Sequence, residues 1–368
     1  MNRLFLLLGC LLFTVVVTLG LAVARSADRA AALNVLAPLV AASGMLATGC
    51  GLFVKRAMAG EAEAGLRTAG TAIGLLGAMA MFAAVGLAWP LPAAMIAVAL
   101  FNFAVLACFA VRFRMVGLHA LAIACLALAY VTATHVALGL PVMERVRPSL
   151  MLLRWFASAQ TGTALLGLFV GLAIAAEVFS RRGRTSDALA YVGGSAVVAV
   201  ASLCLVSVRG YQSGQADAWR AALVFAVYGL GCLGLNVRWR RPAATYGGAA
   251  LIGGALVYAI AFTGTIDVPY RWLVIALTQA TWTTLASIVV QARRAVAPAL
   301  VAGNAPDSEP LRQWGITASL LGVAAFVWFD WQRPLILSID LAWLAALWLL
   351  LALAARSPRW FTAFQTVV

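Results

Sequence analysis

Residues 93–111 read AAMIAVALFNFAVLACFAV, a run of 19 residues without a charge. The hydrocarbon layer of a bilayer is about 30 Å thick, and about 20 apolar residues in a helix cross it. No water is present there, so backbone N–H and C=O groups must bond within the segment, which selects the α-helix. A membrane β-strand would alternate in character over about ten residues, and this run does not alternate.

Runs of the same kind recur along the whole chain. Twelve spans are expected, near residues 4–24, 32–54, 68–89, 93–111, 116–140, 156–179, 189–208, 220–237, 244–264, 271–290, 314–329 and 335–354. They predict an all-α, polytopic integral membrane helical bundle forming a single transmembrane domain over residues 1–368. Composition agrees, with 64% hydrophobic and 10% charged residues, against roughly 45–50% and 25% in soluble domains. That excludes a water-soluble globule, a disordered chain and a disulfide scaffold.

The net charge of +14 sits between the spans, not on a folded basic face. It therefore reads as membrane orientation and not as nucleic-acid binding. With the N-terminus placed inside, the inner segments hold 17 Lys and Arg and the outer loops 9. The expectation is both termini cytoplasmic, in a cytoplasmic (inner) membrane. Loop 141–155 is the exception, carrying Arg145, Arg147 and Arg154 on the outer side. Trp89, Trp155, Trp219 and Trp272 fall at span ends, where an amphipathic ring sits at the headgroups. Arg3, an apolar run and Ala22-Val23-Ala24 resemble a signal peptide, but 4–24 is longer than the usual 7–15 apolar residues and reads as an uncleaved helix. Residues 291–313, with Pro298, Pro306 and Pro310, read as a flexible cytoplasmic loop.

Several features read as packing. The six cysteines lie in apolar runs without metal-ligand spacing. Gly70 with Gly74, Gly167 with Gly171, and Gly247, Gly248, Gly253 and Gly254 suit close helix contact. Arg-Pro at 147–148, 241–242 and 333–334 recurs at intervals of 94 and 92 residues. It reads as three helix starts or as the marker of an inverted repeat. Glu177 pairs with Arg181 at i,i+4, Asn102 bonds across helices, and His119 lies at the inner interface near Arg112 and Arg114.

Polar residues inside spans carry the functional signal, because burying them costs free energy. His135, Gln160, Gln279 and Asp340 all fall in the outer part of their spans, with threonines around them. They are the expected lining of an outward-facing polar cavity. Arg145, Arg147 and Arg154 would stand above it as a collar for an anionic or lipid-linked substrate, since guanidinium binds such groups in a two-point manner.

The two histidines, His119 and His135, share one helix. Sixteen residues separate them by about 24 Å and roughly 160°, so neither a bis-histidine haem site nor a histidine metal cluster can form; no cofactor and no metal are expected. No P-loop, GxSxG or HExxH occurs. Three functions stay open: a transporter-like permease for a small or amphipathic substrate, a non-catalytic scaffold or complex subunit, and a membrane enzyme acting on a lipid-linked substrate at the outer leaflet. The lipid bilayer is the common partner.

Overall fold

The computed structural model describes residues 29–57, 64–89, 91–139, 156–212, 214–239, 242–264, 266–296, 309–329 and 332–355, with a few isolated positions besides. The expected first span, the collar arginines Arg145, Arg147 and Arg154, and residues 297–308 of the inner loop lie outside them.

Every described element is a helix, so the chain is an all-α polytopic membrane bundle. In order these are α1 (Arg29–Ala57), α2 (Ala64–Leu87), α3 (Pro92–Phe113), α4 (Val116–Ala137), α5 (Ala159–Arg181), α6 (Thr185–Gln212), α7 (Gln215–Trp239), α8 (Pro242–Leu256, continued by a π turn over Val257–Phe262), α9 (Val268–Val296), α10 (Glu309–Phe329) and α11 (Pro334–Ala355). Each coincides with one expected span. Ten are long and apolar enough to cross a membrane. The other, α10, spends its first turns on Glu309, Arg312 and Gln313, which leaves the shortest apolar run. Helix starts follow local chemistry. Proline opens α3, α8 and α11, where its missing N–H has no cost. Ser158 caps α5 by accepting from the Thr161 N–H at 3.2 Å.

Contacts divide the chain into two compact units, Met1–Ala201 and Ser202–Val368, the division falling inside α6. In the first, α1 packs along α2 and α3 along α4, while α5 rests on α4. Their shared core joins Leu36, Leu52, Met81, Met95, Leu106 and Leu118 through many alanines. In the second, α7 pairs with α8 and α9 with α10, and α11 packs on both α9 and α10. Leu273, Phe326 and Leu344 meet there. Outward faces are apolar: Leu76, Val197 and Leu353 are each about 70% exposed, as lipid-facing side chains are.

The α1–α2 seam shows how helices associate without a hydrophobic drive between them. A Cβ on Gly77 would lie 2.5 Å from the Thr48 nitrogen, and one on Gly51 2.4 Å from the Gly74 nitrogen. Only glycine permits this approach. In the second unit the π turn loosens the ladder at the end of α8. Arg271, expected as an outer-loop charge, bonds this end: Nη1 donates to Ala261 O at 2.9 Å and Nε to Ile266 O at 2.6 Å.

The seam makes a paired prediction. Gly77→Ala should lower the melting temperature of the detergent-solubilised protein, at a cost of about 1–3 kcal/mol for overpacking. Gly86→Ala, on the same helix, faces open space and should melt as the parent does. Equal melting of the two variants would mean that the seam is not close-packed.

Candidate functional site

The residues expected to line an outer cavity take defined places. His135, on α4, is buried and bonds through Nε2 to Thr161 Oγ1 of α5 at 2.7 Å, one residue after the half-buried Gln160. Gln279, on α9, donates from Nε2 to Ala249 O at 2.9 Å and accepts from Trp282 Nε1 at 2.7 Å. Asp340 lies in the second turn of α11. His135 and Gln160 thus belong to the first unit, Gln279 and Asp340 to the second. The surrounding hydroxyls of Thr132, Thr163, Thr281, Thr283 and Ser287 donate to carbonyls three or four residues back in their own helices.

A larger feature forms in the first unit, where α1 and α3 end and α6 begins. A cavity of about 930 Å³ is lined there by Lys55 and Arg56 from α1, Arg112 and Arg114 from the α3 end, and Arg184, Thr185, Ser186 and Asp187 from the α6 start. Five cationic side chains face one carboxylate. Leu52, Cys108, Val111 and Phe113 supply an apolar wall.

Two helix ends set this geometry. At the end of α5, Gly183 takes φ +70°, and the Arg184 N–H returns to Phe179 O at 3.0 Å. That is a Schellman motif, and it lays the Arg184 guanidinium over the Phe179 ring, 5.7 Å from its centre. Arg184 O then accepts the Ala188 N–H at 3.0 Å, which begins the α6 ladder. The N–H groups of Thr185, Ser186 and Asp187 precede that ladder and carry the positive end of the helix dipole. At the end of α3 the left-handed position is filled by Arg114 (φ 55°, ψ 43°), with the Met115 N–H returning to Ala110 O at 3.1 Å. Among the described residues no other non-glycine has positive φ. Glycine would sit there without the strain of about 1–2 kcal/mol that a side chain brings.

Behind the cavity stands a buried polar cluster. Asp187 is 2% exposed and His119 fully buried. His119 Nε2 donates to Asp187 Oδ1 at 3.2 Å, and Arg184 Nε donates to Asp187 Oδ2 at 2.5 Å. Arg184 Nη2 also donates to Val111 O at 2.8 Å. The imidazole lies edge-on to Tyr191 and Phe179, with centroids 5.2 and 5.9 Å away. Its Nδ1 has no hydrogen-bond partner among the described residues. His119 faces inward, towards α6. Asp187 was missed because it lies just outside the apolar run, in a segment read only for its arginines. Its signal is local: glycine after a basic helix end, then Arg184-Thr185-Ser186-Asp187, an acid in a first helical turn.

The two other expectations for polar residues hold. Glu177 accepts from Arg181 Nε at 2.7 Å, and Asn102 donates from α3 to Met81 O of α2. Among the described residues no group of three or more His, Cys, Asp or Glu comes together as a metal site. Comparison of the chain with protein-family models, curated proteins and solved structures finds no match.

Removing the shared carboxylate should be costly. Asp187→Ala strands a buried histidine and a half-buried arginine, and should lose about 3–5 kcal/mol of stability. Asp217→Ala, which breaks the more exposed Arg220 pair of the second unit, should lose less than about 1 kcal/mol. Thermal or denaturant unfolding in one detergent compares them. Equal losses would show that Asp187 is not the anchor described.

Proposed function

We propose that this multi-pass membrane protein is permease-like and takes an anionic small molecule, or an anionic headgroup, in the basic cavity of its first unit. The carrying observation is the cavity itself: five cationic side chains and the start of a 28-residue helix line about 930 Å³, against one carboxylate that is already engaged. Among the described residues, no carboxylate pairs with Lys55, Arg56, Arg112 or Arg114. Such a concentration of positive charge, unneutralised among the described residues, favours an anion. Arg114 supports the reading, since strained backbone positions cluster at ligand-binding sites.

The expected orientation, from the 17 to 9 division of basic residues, assigns this end to the cytoplasm. The reading therefore keeps an anionic substrate but places its binding site at the opposite end from the collar arginines. Reporter fusions at Gly183 and Gln212 should read inside and outside respectively; the reverse would turn the cavity outward. A scaffold or complex subunit is the second reading. The hydroxyls of Thr132, Thr163, Thr283 and Ser287, bonded within their own helices, favour it over an enzyme at the outer leaflet.

Arg114→Gly separates binding from stability. It removes a cation and relieves the left-handed strain, so the variant should melt no lower than the parent and up to about 1 kcal/mol more stable. Its affinity for inorganic pyrophosphate, measured by equilibrium binding in zwitterionic detergent, should fall several-fold, most at low salt. If the parent protein binds no pyrophosphate or other polyvalent anion, the permease reading falls and the scaffold reading takes its place.

A further inference from the structure

We propose that Arg184 is the specificity-determining phosphate ligand of the cavity and that His119, outside the cavity wall, positions it through Asp187. The proposal rests on the anion-binding reading above and names its ligand class: an organic phosphate with at least two negative charges. Arginine carries five N–H donors. Nε engages Asp187 and one Nη2 hydrogen engages Val111 O. The three remaining N–H groups, on Nη1 and Nη2, carry no bond among the described residues, and the side chain is 29% exposed. That suffices for a two-point bond to a phosphate, which a lysine cannot make.

Arg184 differs from the other four cations in being held. Its main chain is fixed by the Schellman turn, its plane by Phe179, and its two donors by Asp187 and Val111. Arg56, Arg112 and Arg114 are exposed, and Lys55 rests its ammonium 3.9 Å from the Met115 sulfur. A pre-set guanidinium loses little freedom on binding, so it adds discrimination where mobile charges add attraction. Asp187 cannot hold this position unaided, because its second oxygen, buried in the bundle, needs a donor. His119 supplies that donor, packed edge-on against the stacked rings of Tyr191 and Phe179. The apolar wall of Leu52, Cys108, Val111 and Phe113 beside this charge suits the organic part of the ligand.

The test measures pyrophosphate affinity and the ratio of pyrophosphate to sulfate affinity, both at constant ionic strength. Arg184→Lys preserves charge, yet should lower pyrophosphate affinity about tenfold and bring the ratio towards one; Arg182→Lys, at an exposed arginine outside the cavity lining, should change neither by more than about twofold. His119→Ala should lower affinity and ratio in the same direction, and His119→Gln, whose amide can donate to Asp187, should restore most of both. A purely structural histidine would alter the melting temperature and leave the ratio of the folded protein unchanged. If Arg184→Lys fails to fold, the charge-neutral pair Arg184→Gln with Asp187→Asn replaces it, with the same loss of ratio expected.

Cys108, in the cavity wall, distinguishes the sources of phosphate. In a background lacking the other five cysteines, its labelling by a thiol reagent should be slowed by pyrophosphate if the ligand is soluble. Phosphatidate in phosphatidylcholine vesicles should slow it, relative to phosphatidylcholine alone, if the ligand is a lipid headgroup. Protection by either supports the proposal, and protection by neither overturns it together with the anion-binding reading. A parent protein that binds pyrophosphate, with a ratio unmoved by Arg184→Lys, overturns the proposal while leaving that reading intact. A ratio lost in Arg184→Lys but unmoved in His119→Ala removes His119 from it.

Discussion

A backbone in hydrocarbon must satisfy its own hydrogen bonds, and the rest of this structure follows from that demand. Each span becomes a helix whatever its side chains are. Once helical, the spans gain nothing from hiding apolar surface from water, because lipid is as apolar as leucine. They associate through close backbone approach and through a few polar bonds. The α1–α2 seam is the first case: Gly44, Gly51, Gly70 and Gly77 each lie so close to the partner backbone that a Cβ would come within 2.4–2.7 Å of it. Asn102, reaching from α3 to a carbonyl of α2, is the second.

The same demand explains why most buried hydroxyls are uninformative about function. A threonine within a span always has a carbonyl of its own helix in reach, three or four residues back, and here Thr132, Thr163, Thr281 and Thr283 all use it. A carboxylate has no such local solution, because the helix offers it no free donors beyond the first turn. Asp187 is placed in that first turn, with a guanidinium on one oxygen and an imidazole on the other. Of the buried polar groups in the first unit it needed the most construction around it, and that construction ends at a cavity.

Much of the fold was legible in the sequence because the relevant signal is local. A run such as 93–111 specifies its helix without reference to any partner, and proline and glycine mark its ends. The candidate site was legible only in parts. His119 and the arginines at 112, 114 and 184 were visible as residues, but their meeting depends on which helix follows which in space. Sixty-eight residues separate His119 from Asp187. Depth in the membrane, the coordinate that the sequence does report, ranked His135 above His119 because neighbouring threonines looked like a polar layer. Of those threonines, Thr132 and Thr163 bond within their own helices, while Thr161 meets His135 across α4 and α5. The π turn at the end of α8 and the role of Arg271 beneath it were also out of reach, since a widened ladder leaves no pattern in residue type.

Basic residues at helix ends have two physical uses that a count cannot separate. Lys and Arg retained on one side orient the spans, and the same side chains, brought over the start of a helix, attract anions. Orientation needs only number and side, so an arginine serving that end can be mobile, exposed and placed anywhere in its loop. Recognition needs position. Position has a structural signature: a guanidinium with its donors partly committed, a carboxylate buried to hold it, and a backbone accepting strain to present it. Arg182 shows none of these. Arg184, two residues later, is held by Asp187, Val111 and Phe179, and Arg114 occupies the left-handed region that a glycine would enter freely. The distinction between an orienting charge and a binding charge therefore lies in what restrains the side chain, and by that criterion Arg114, where α3 stops, and Arg184, where α6 starts, stand apart from Arg182.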